Sequence, residues 1–165
     1  MSIIFSKKCE YGLQAVLHLS ARAEKEVLSA DEIAKALQIP KEFVSKILQE
    51  LTSSGIVDSK KGKSGGFFLA KATSRIRLID VVVAIDGFDI FNKCVLGFPS
   101  CSADSPCPVH HNWSKLSKET YRMLSEATLD EFIDKTKRKI ESILPNIKFP
   151  DTDSVATPLK KTENE

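Results

Sequence analysis

The fold of this chain is decided by the stretch Ser29-Ala-Asp-Glu-Ile-Ala-Lys-Ala-Leu-Gln-Ile-Pro-Lys-Glu-Phe-Val-Ser-Lys-Ile-Leu-Gln-Glu-Leu51. Ser29 or Asp31 can cap a first helix, and Pro40, after a short turn, suits the start of a second. Apolar residues recur at helical spacing in both segments, first at Ile33, Ala34 and Leu37 and then at Phe43, Val44, Ile47, Leu48 and Leu51. Two helices joined by so short a turn predict a helix-turn-helix.

The residues that follow predict a small β wing. Residues 56–59 and 67–69 are short segments that suit strands. Between them, the run Lys60-Lys-Gly-Lys-Ser-Gly-Gly66 is too rich in glycine for a helix. Two strands around a basic glycine loop, directly after a helix-turn-helix, indicate a winged helix-turn-helix.

Further helices are predicted on both sides of this unit. Residues 10–23 show helical periodicity, and residues 78–86 fit a strand or a helix, of which we favour a short helix. An amphipathic helix is expected over residues 113–125. Thr128 can cap a last helix, with Glu131 at the capping-box position. The predicted fold class is mainly α with a small β wing.

The composition is that of an ordinary soluble globular protein, and the length fits one domain or a small domain with an extension. The chain has 165 residues, of which 42% are hydrophobic and 28% are charged. No apolar run approaches the ~18 residues of a membrane span, and no signal peptide is evident, so we expect a cytoplasmic protein without a membrane partner. In that compartment clustered cysteines indicate metal binding or redox chemistry rather than disulfides.

Charge is distributed unevenly along the chain. Residues 1–77 hold 13 Lys and Arg against 8 Asp and Glu, whereas residues 78–165 hold 11 against 14. A basic first half suits a polyanion such as double-stranded DNA. In a helix-turn-helix the second helix enters the major groove, while lysines on a wing suit phosphate or the minor groove. The predicted DNA contacts are therefore Lys41, Glu42, Ser45, Lys46 and Gln49 on the helix and Lys60, Lys61, Lys63, Ser64 and Gly65 on the wing.

Three cysteines and a histidine lie close together within residues 87–112, which are predicted to form a long irregular loop. Their order is Cys94-x6-Cys101-x5-Cys107-x2-His110. Thiolate and imidazole groups are ligands of zinc and of iron–sulfur clusters. A loop of this length inside a compact domain is uncommon unless a function or a metal orders it. The segment therefore predicts a metal centre.

The residues alone leave the occupant of this segment open. Zinc would take three cysteines and one histidine as a tetrahedron, but structural zinc motifs usually have closer cysteine pairs, and the wider gaps suit an iron–sulfur cluster. The thiols could also form a reversible thiol switch. His110 could instead cap the following helix, with His111 as the ligand. Cys9, on the first helix, is interpreted as a small buried residue rather than a ligand.

The chain resembles the IscR/NsrR family of bacterial winged-helix regulators over about residues 3–144. The resemblance rests on Tyr11-Gly-Leu-Gln-Ala-Val16, Ile33-Ala34 to Leu51, Lys61-Gly-Lys-Ser-Gly-Gly-Phe67, Val81-Val-Val-Ala-Ile-Asp-Gly87, the cysteine triad and Cys107-Pro-Val-His-His-Asn-Trp113. It implies a homodimer held by the helix over residues 113–125. It also implies one iron–sulfur cluster per subunit, close to the dimer interface, for which we favour [2Fe–2S] over [4Fe–4S].

The resemblance implies three cysteine ligands, Cys94, Cys101 and Cys107, and a fourth ligand that differs among members. In some members it is a histidine placed like His110. In others it is a carboxylate from the first helix of the other protomer, which corresponds here to Glu10 of the partner subunit. This sequence keeps both options. It departs from the best-known member at two DNA-reading positions, where Ser45 replaces a glutamate and Lys61 an arginine, so a different operator is expected.

Together these features predict a dimeric DNA-binding transcriptional regulator, expected to be a repressor, that binds a pseudo-palindromic operator. Its affinity would be set by an iron–sulfur cluster that senses redox state, nitric oxide or iron–sulfur status. The alternative is a thiol-switch or zinc-containing winged-helix regulator without a cluster. No activated nucleophile or acid–base pair is evident, so neither an enzyme nor a small-molecule substrate is expected. The predicted parts are a winged helix-turn-helix (1–86), a cluster-binding loop (87–112), dimerisation helices (113–144) and a disordered tail (145–165).

Overall fold

Residues 4–143 are described by the computed structural model, and they form six α-helices and a two-stranded sheet. The helices are α1 (Lys7–Ser20), α2 (Ala30–Leu37), α3 (Lys41–Ser53), α4 (Leu78–Asp86), α5 (His110–Glu126) and α6 (Ile133–Ile143), and the strands are β1 (Val57–Lys60) and β2 (Gly66–Leu69). Single 3₁₀ turns lie at Thr73–Arg75, Phe88–Phe91 and Leu129–Phe132. The predicted class, mainly α with a small β wing, is confirmed.

The helix-turn-helix consists of α2 and α3, and the local sequence explains where each begins. Ser29, rather than Asp31, caps α2, since its hydroxyl accepts a hydrogen bond from the N–H of Glu32 while the Glu32 carboxylate accepts one from the N–H of Ser29. Gln38 ends α2 in a left-handed conformation with φ 56°, and Pro40 precedes α3. The inner faces of both helices are buried through Ile33, Ala34, Val44, Ile47, Leu48 and Leu51.

One residue of the apolar pattern in α3 lies outside this buried face. Phe43 is 57% exposed, although its spacing grouped it with Val44 and Ile47. Each residue of an α-helix turns by about 100°, so Phe43 falls at the edge of the buried face, where Tyr11 of α1 lies against its ring. Phe43 is therefore a surface residue and not part of the core.

The wing is an antiparallel hairpin of β1 and β2, in which Val57 pairs with Leu69. Leu28 extends this sheet by exchanging two backbone hydrogen bonds with Phe67. Gly66 must lack a side chain, because a Cβ there would collide with the carbonyl of Leu28. The strands lie within one residue of their predicted positions.

Helix α1 packs against both α3 and α4. It begins three residues earlier than expected, because the hydroxyl of Ser6 accepts a hydrogen bond from the N–H of Cys9 and caps the helix. Its last residue is Ser20 rather than the expected Ala23. Gly12 allows α4 to approach closely, since a Cβ at this position would collide with Cδ1 of Ile85. The two helices therefore cannot slide past each other without repacking.

The segment between α4 and α5 is more ordered than the irregular loop expected for residues 87–112. Residues 78–86, whose apolar pattern fitted a strand or a helix, form α4, as favoured from the sequence. Gly87 ends this helix with φ 78°. A 3₁₀ turn follows at once. α5 begins three residues earlier than expected, because the N–H of Trp113 bonds to the carbonyl of Val109 at 2.9 Å. His110 thus lies in the first turn of a helix and not in the loop.

The last helical segment begins as predicted. The N–H of Thr128 donates to the carboxylate of Glu131 at 3.0 Å, and the 3₁₀ turn at Leu129–Phe132 runs directly into α6. The predicted tail, residues 145–165, lies outside the described residues, and the division of the chain into four parts stays a prediction. Within residues 4–143, no helix has both the length and the apolar character that crossing a membrane would require.

Candidate metal centre and nucleic-acid interface

The three clustered cysteines converge. The Sγ atoms of Cys94, Cys101 and Cys107 all lie within 4.8 Å of one another, and those of Cys94 and Cys107 are 3.5 Å apart. All three side chains are half-buried, and all four cysteines of the chain are free thiols. The structure therefore brings together the three residues that the sequence singled out, in a loop that folds back on itself.

His110 is the imidazole that meets these thiols. Its Nδ1 lies 3.2 Å from the Sγ of Cys101, whereas His111 is more exposed and its ring lies edge-on to that of His110. Glu10 lies on α1, where its carboxylate binds Nζ of Lys7 at 2.7 Å. Within one chain His110 is thus the group beside the thiols, although it contacts only one of them. Ligation by Glu10 of the partner subunit stays a prediction.

The surroundings of Cys94 and Cys107 shift the pKa values of these two thiols in opposite directions. Burial acts to raise the pKa of Cys94, but hydrogen bonds from the backbone N–H groups of Phe98 and Leu96 and from neighbouring thiols outweigh it, so this pKa lies below the ordinary value of 9.0. The pKa of Cys107 lies above that value, because burial and its hydrogen bond with Cys94 disfavour the thiolate. Cys94 is therefore the more ready of the two to form the thiolate, which is the form that binds metals.

Two side chains of α5 fix the loop just before its first cysteine. The indole N–H of Trp113 donates to the carbonyl of Lys93 at 2.8 Å. The hydroxyl of Ser117 donates to the carbonyl of Phe91 at 2.6 Å. Because both acceptors lie within the three residues before Cys94, the position of this thiol depends on the position of α5.

The site suits a metal centre both in its donor groups and in its space. A cleft of about 150 Å³ lies among the three thiols, His110 and Trp113. A tetrahedral metal with bonds of about 2.3 Å holds its sulfur ligands ~3.8 Å apart, which is close to the spacing of the thiols. Iron–sulfur clusters take the same donors but spread them over two or four irons. The site therefore accommodates a single metal directly, and a cluster once the thiols move apart.

The predicted DNA contacts lie on the surface of α3 and of the wing. The exposed ones are Lys41, Glu42, Lys46, Gln49, Lys60, Lys61, Lys63 and Ser64, whereas Ser45 and Gly65 are half-buried. Lys41 lies 3.9 Å from the carboxylate of Asp31, which binds Lys35 at 2.7 Å. Exposed ion pairs of this kind are worth little, so Lys41 can turn to a phosphate. Contact of these ten residues with DNA stays a prediction.

Gly65 shapes the wing in addition to its predicted role. Its N–H donates to the carbonyl of Gly62 at 3.0 Å, and a Cβ at position 65 would collide with the carbonyl of Lys60. Because the amide of Gly65 is used within the turn, a phosphate at the wing would meet the side chains of Lys61 and Lys63 instead.

Helix α1 connects the cysteine loop with α3. At its start, the N–H of Ser6 donates to the carboxylate of Asp86 at 2.8 Å, where α4 ends and the loop begins. Within the first turn, Nζ of Lys8 binds the carboxylate of Glu50 in α3 at 2.6 Å. Cys9, the next residue, is fully buried, and its burial, followed by the charge of Asp86, raises its pKa to about 12. Cys9 is thus a packing residue, as its sequence position indicated.

Phe43 belongs to the candidate DNA interface, although the sequence did not single it out. It lies in the first turn of α3, and its ring meets that of Tyr11 edge-on with 6.5 Å between centroids. Nζ of Lys7 lies 5.0 Å from the centroid of the Tyr11 ring. Apolar periodicity grouped Phe43 with the core, and no local signal shows that its ring stands outside.

Comparisons with known proteins show a family of regulators and a shared fold. A family model described as "Rrf2: Iron-dependent Transcriptional regulator" matches residues 5–135. A protein of Aquifex aeolicus named as an HTH-type transcriptional regulator is 34% identical over 133 residues, which are 79% of this chain and 92% of that protein. The HTH-type transcriptional regulator NsrR of Oceanobacillus iheyensis is 27% identical over 128 residues, 77% of this chain and 87% of that protein.

Two solved structures are similar in fold. CymR, the global cysteine regulator of B. subtilis, gives a TM-score of 0.66 at 19% identity, over 79% of this chain and 96% of that one. IscR of T. potens gives a TM-score of 0.62 at 22% identity, over 81% of this chain and 88% of that one. At these identities the likeness shows the fold alone.

Proposed function

Since the chain belongs to the Rrf2 family of transcriptional regulators, we propose that it is a homodimeric DNA-binding repressor whose operator affinity is set by an iron–sulfur cluster. The family makes it a transcriptional regulator and not an enzyme. The observation that supports a metal centre is the convergence of three free thiols within 4.8 Å, next to His110, and the wide sequence gaps between the cysteines favour a cluster over zinc. The family description, "Iron-dependent Transcriptional regulator", and a relative named NsrR agree with that choice, whereas the solved structures of CymR and IscR share the fold alone.

The proposed ligands are Cys94, Cys101 and Cys107, with His110 as the fourth ligand or Glu10 of the partner subunit in its place. We favour [2Fe–2S] over [4Fe–4S], with one cluster per subunit. An iron–sulfur cluster bound there would supply a centre that responds to redox state, nitric oxide or iron–sulfur supply.

Contacts of the described residues support a route from this site to the DNA-binding helix. Trp113 and Ser117 tie the loop to α5, while Ser6 ties the end of α4 to α1. α1 in turn packs against α3, with Val16 and Ile47 in one buried cluster, and the exposed ion pair of Lys8 with Glu50 lies beside this packing. Movement of the cysteine loop would therefore tilt α1, and with it α3.

The dimer is proposed to form along α5. Leu116 and Met123 lie seven residues apart, so they share one face of this helix, and both are exposed in the single chain. A second copy of α5 would cover these side chains. In such a dimer the two α3 helices would bind successive major grooves of a pseudo-palindromic operator.

The cluster is tested by anaerobic purification of the whole chain, followed by visible absorption and by iron and sulfide analysis. We expect about two iron and two sulfide per chain for the favoured cluster and about four of each for the alternative. Replacement of Cys94, Cys101 or Cys107 by Ala should abolish both the absorption and the bound iron, whereas Cys9→Ala should retain them. Protein without iron and sulfide would exclude the cluster, and unchanged iron in the triad variants would exclude these ligands.

The fourth ligand is tested with His110→Ala and Glu10→Ala. The substitution that removes the fourth ligand should alter the absorption spectrum of the bound cluster. The other substitution should leave the spectrum as it is in the parent protein. A parallel titration of operator DNA, with loaded and cluster-free protein, measures the regulation. A change of about 100-fold in affinity would require ~2.7 kcal/mol of differential binding, and equal affinities would show that the cluster does not control DNA binding.

A second candidate is a regulator without a cluster. The 3.5 Å between the Sγ atoms of Cys94 and Cys107 favours a thiol switch, and the compact group of three thiols favours zinc. One equivalent of zinc without sulfide would indicate the zinc form. Loss of two free thiols upon mild oxidation, together with a change in DNA affinity, would indicate the switch.

A further inference from the structure

The ring of Phe43 is exposed on the candidate DNA interface. Phe43 is the third residue of α3, so it lies in the turn of a recognition helix that reaches base edges. Over half of its surface is open to solvent. A ring of this size is mostly buried in folded proteins, which makes its exposure here informative.

The ring is held in place rather than loosely exposed. Tyr11 meets it edge-on, with an interplanar angle of 61°, and Tyr11 is itself covered by Lys7 from α1. Such aromatic pairs have a preferred geometry. The ring therefore loses little conformational freedom on binding, which favours a specific contact over a loose one.

The neighbours of Phe43 indicate a polyanion as the surface that covers it. Lys46 is its neighbour one turn along α3 and is exposed. Lys7 is a second exposed cation nearby: its Nζ lies 5.0 Å from the centroid of the adjoining Tyr11 ring, where it pairs with Glu10. A protein partner with an apolar patch would have to accommodate these two charges, whereas DNA phosphates would bind them. Within the major groove the one apolar group on a base edge is the 5-methyl of thymine.

We propose that Phe43 reads thymine by packing its ring against the 5-methyl group in each operator half-site. This inference rests on the proposed function, because it requires that α3 enters the major groove. It adds an apolar reader to the polar and charged candidates Lys41, Ser45, Lys46 and Gln49. It also accounts for an exposed phenylalanine where a polar side chain would be more soluble.

The experiment replaces thymine by uracil, which removes the methyl group and keeps the base pair. An operator is first selected from random duplexes with the whole chain, purified anaerobically, and each thymine is then replaced in turn by deoxyuridine. A replacement in one half-site should weaken binding about 4-fold, as expected from ~0.8 kcal/mol per buried methyl group. Replacement in both half-sites should weaken it about 15-fold.

Variants of the protein then show whether Phe43 is the reader. Phe43→Ala should bind the thymine and uracil operators equally, and Phe43→Leu should retain part of the preference. Phe88→Ala is the matched control, since Phe88 is 50% exposed but lies outside the helix-turn-helix, and it should keep the full preference. Circular dichroism verifies that each variant is folded.

Two results would overturn the proposal while leaving DNA binding intact. One is an operator in which no thymine-to-uracil replacement weakens binding. The other is a Phe43→Ala variant that keeps the same uracil penalty as the parent protein. By contrast, failure to select any duplex would remove the proposed function together with this inference.

Discussion

A methyl group placed on Gly12 tests the close packing of α1 against α4. In Gly12→Ala the new Cβ would collide with Cδ1 of Ile85 and touch Cγ2 of Ile47 at 3.4 Å. Cδ1 is the end of a flexible side chain, so Ile85 can turn aside at a cost of about 1–2 kcal/mol. Alanine is more favourable than glycine inside a helix, so the substitution also stabilises α1 by about 1 kcal/mol. The free energy of unfolding is therefore expected to change by no more than about 1 kcal/mol.

A second substitution isolates the packing effect. Ile85→Val removes the colliding methyl group and, alone, should destabilise the chain by about 1 kcal/mol. In the double variant the alanine methyl takes the vacated space. The double variant should therefore be about 1–2 kcal/mol more stable than the sum of the two single changes predicts. Ile79→Val, elsewhere on α4, is the matched control and should be additive with Gly12→Ala.

Urea unfolding followed by far-ultraviolet circular dichroism measures these differences. All variants are compared at one chain concentration, because the stability of a dimer depends on concentration. If Gly12→Ala and Ile85→Val are additive to within about 0.3 kcal/mol, the close approach of α1 and α4 is refuted, and with it the reason for glycine at this position.

Three further predictions concern stability, DNA binding and the cysteine site. Burial lowers the pKa of His18 to about 4, so the unfolded chain binds a proton between pH 6.5 and 4 that the folded chain does not, and stability should fall by about 3 kcal/mol as the pH drops through this window. Urea unfolding at several pH values should show this loss in the parent protein and not in His18→Gln, and an identical pH dependence in both would contradict it. Lys61→Ala and Lys63→Ala should each make the slope of log affinity against log salt less steep by about 2, because each removes one phosphate contact per subunit. Lys135→Ala on α6 should leave the slope unchanged. Slopes equal to that of the parent protein would show that the wing does not contact DNA. Trp113→Phe keeps the ring but removes the donor to the loop carbonyl, so the variant should lose bound metal several-fold faster during gel filtration, and equal retention would show that this hydrogen bond does not hold the loop.

The helix-turn-helix could be predicted from the sequence because its signals are local. The Ser29 cap, its partner Glu32 and the turn before Pro40 all act within a few residues of one another. The wing likewise follows from a glycine loop between two short strands. Interactions between residues this close in the chain can be recognised in a single sequence. The element types were therefore predicted correctly, and only their ends differ, by one to three residues.

The features that escaped prediction depend on contacts between distant segments. The early start of α5 places His110 beside Cys101, and the loop is held by Trp113 bonding to Lys93 twenty residues away. Helical spacing could not show that Phe43 lies at the edge of the buried face, since that depends on where α1 crosses α3. The cysteine spacing indicated a metal centre, but it did not show how compactly the thiols pack.

Because His110 lies in the first turn of α5, a movement at the cysteine site can rotate the whole helix. α5 has 17 residues, so it is a rod about 25 Å long. A rotation of about 5° about the end that carries His110 would displace the other end by roughly 2 Å over that length. In a two-fold dimer the displacement would occur once in each subunit and in opposite senses. A small shift of His110 relative to the sulfur atoms would thus become a shift of about 2 Å at the far end of α5. Since α5 is proposed to join the two subunits, this shift would change the distance between the two α3 helices.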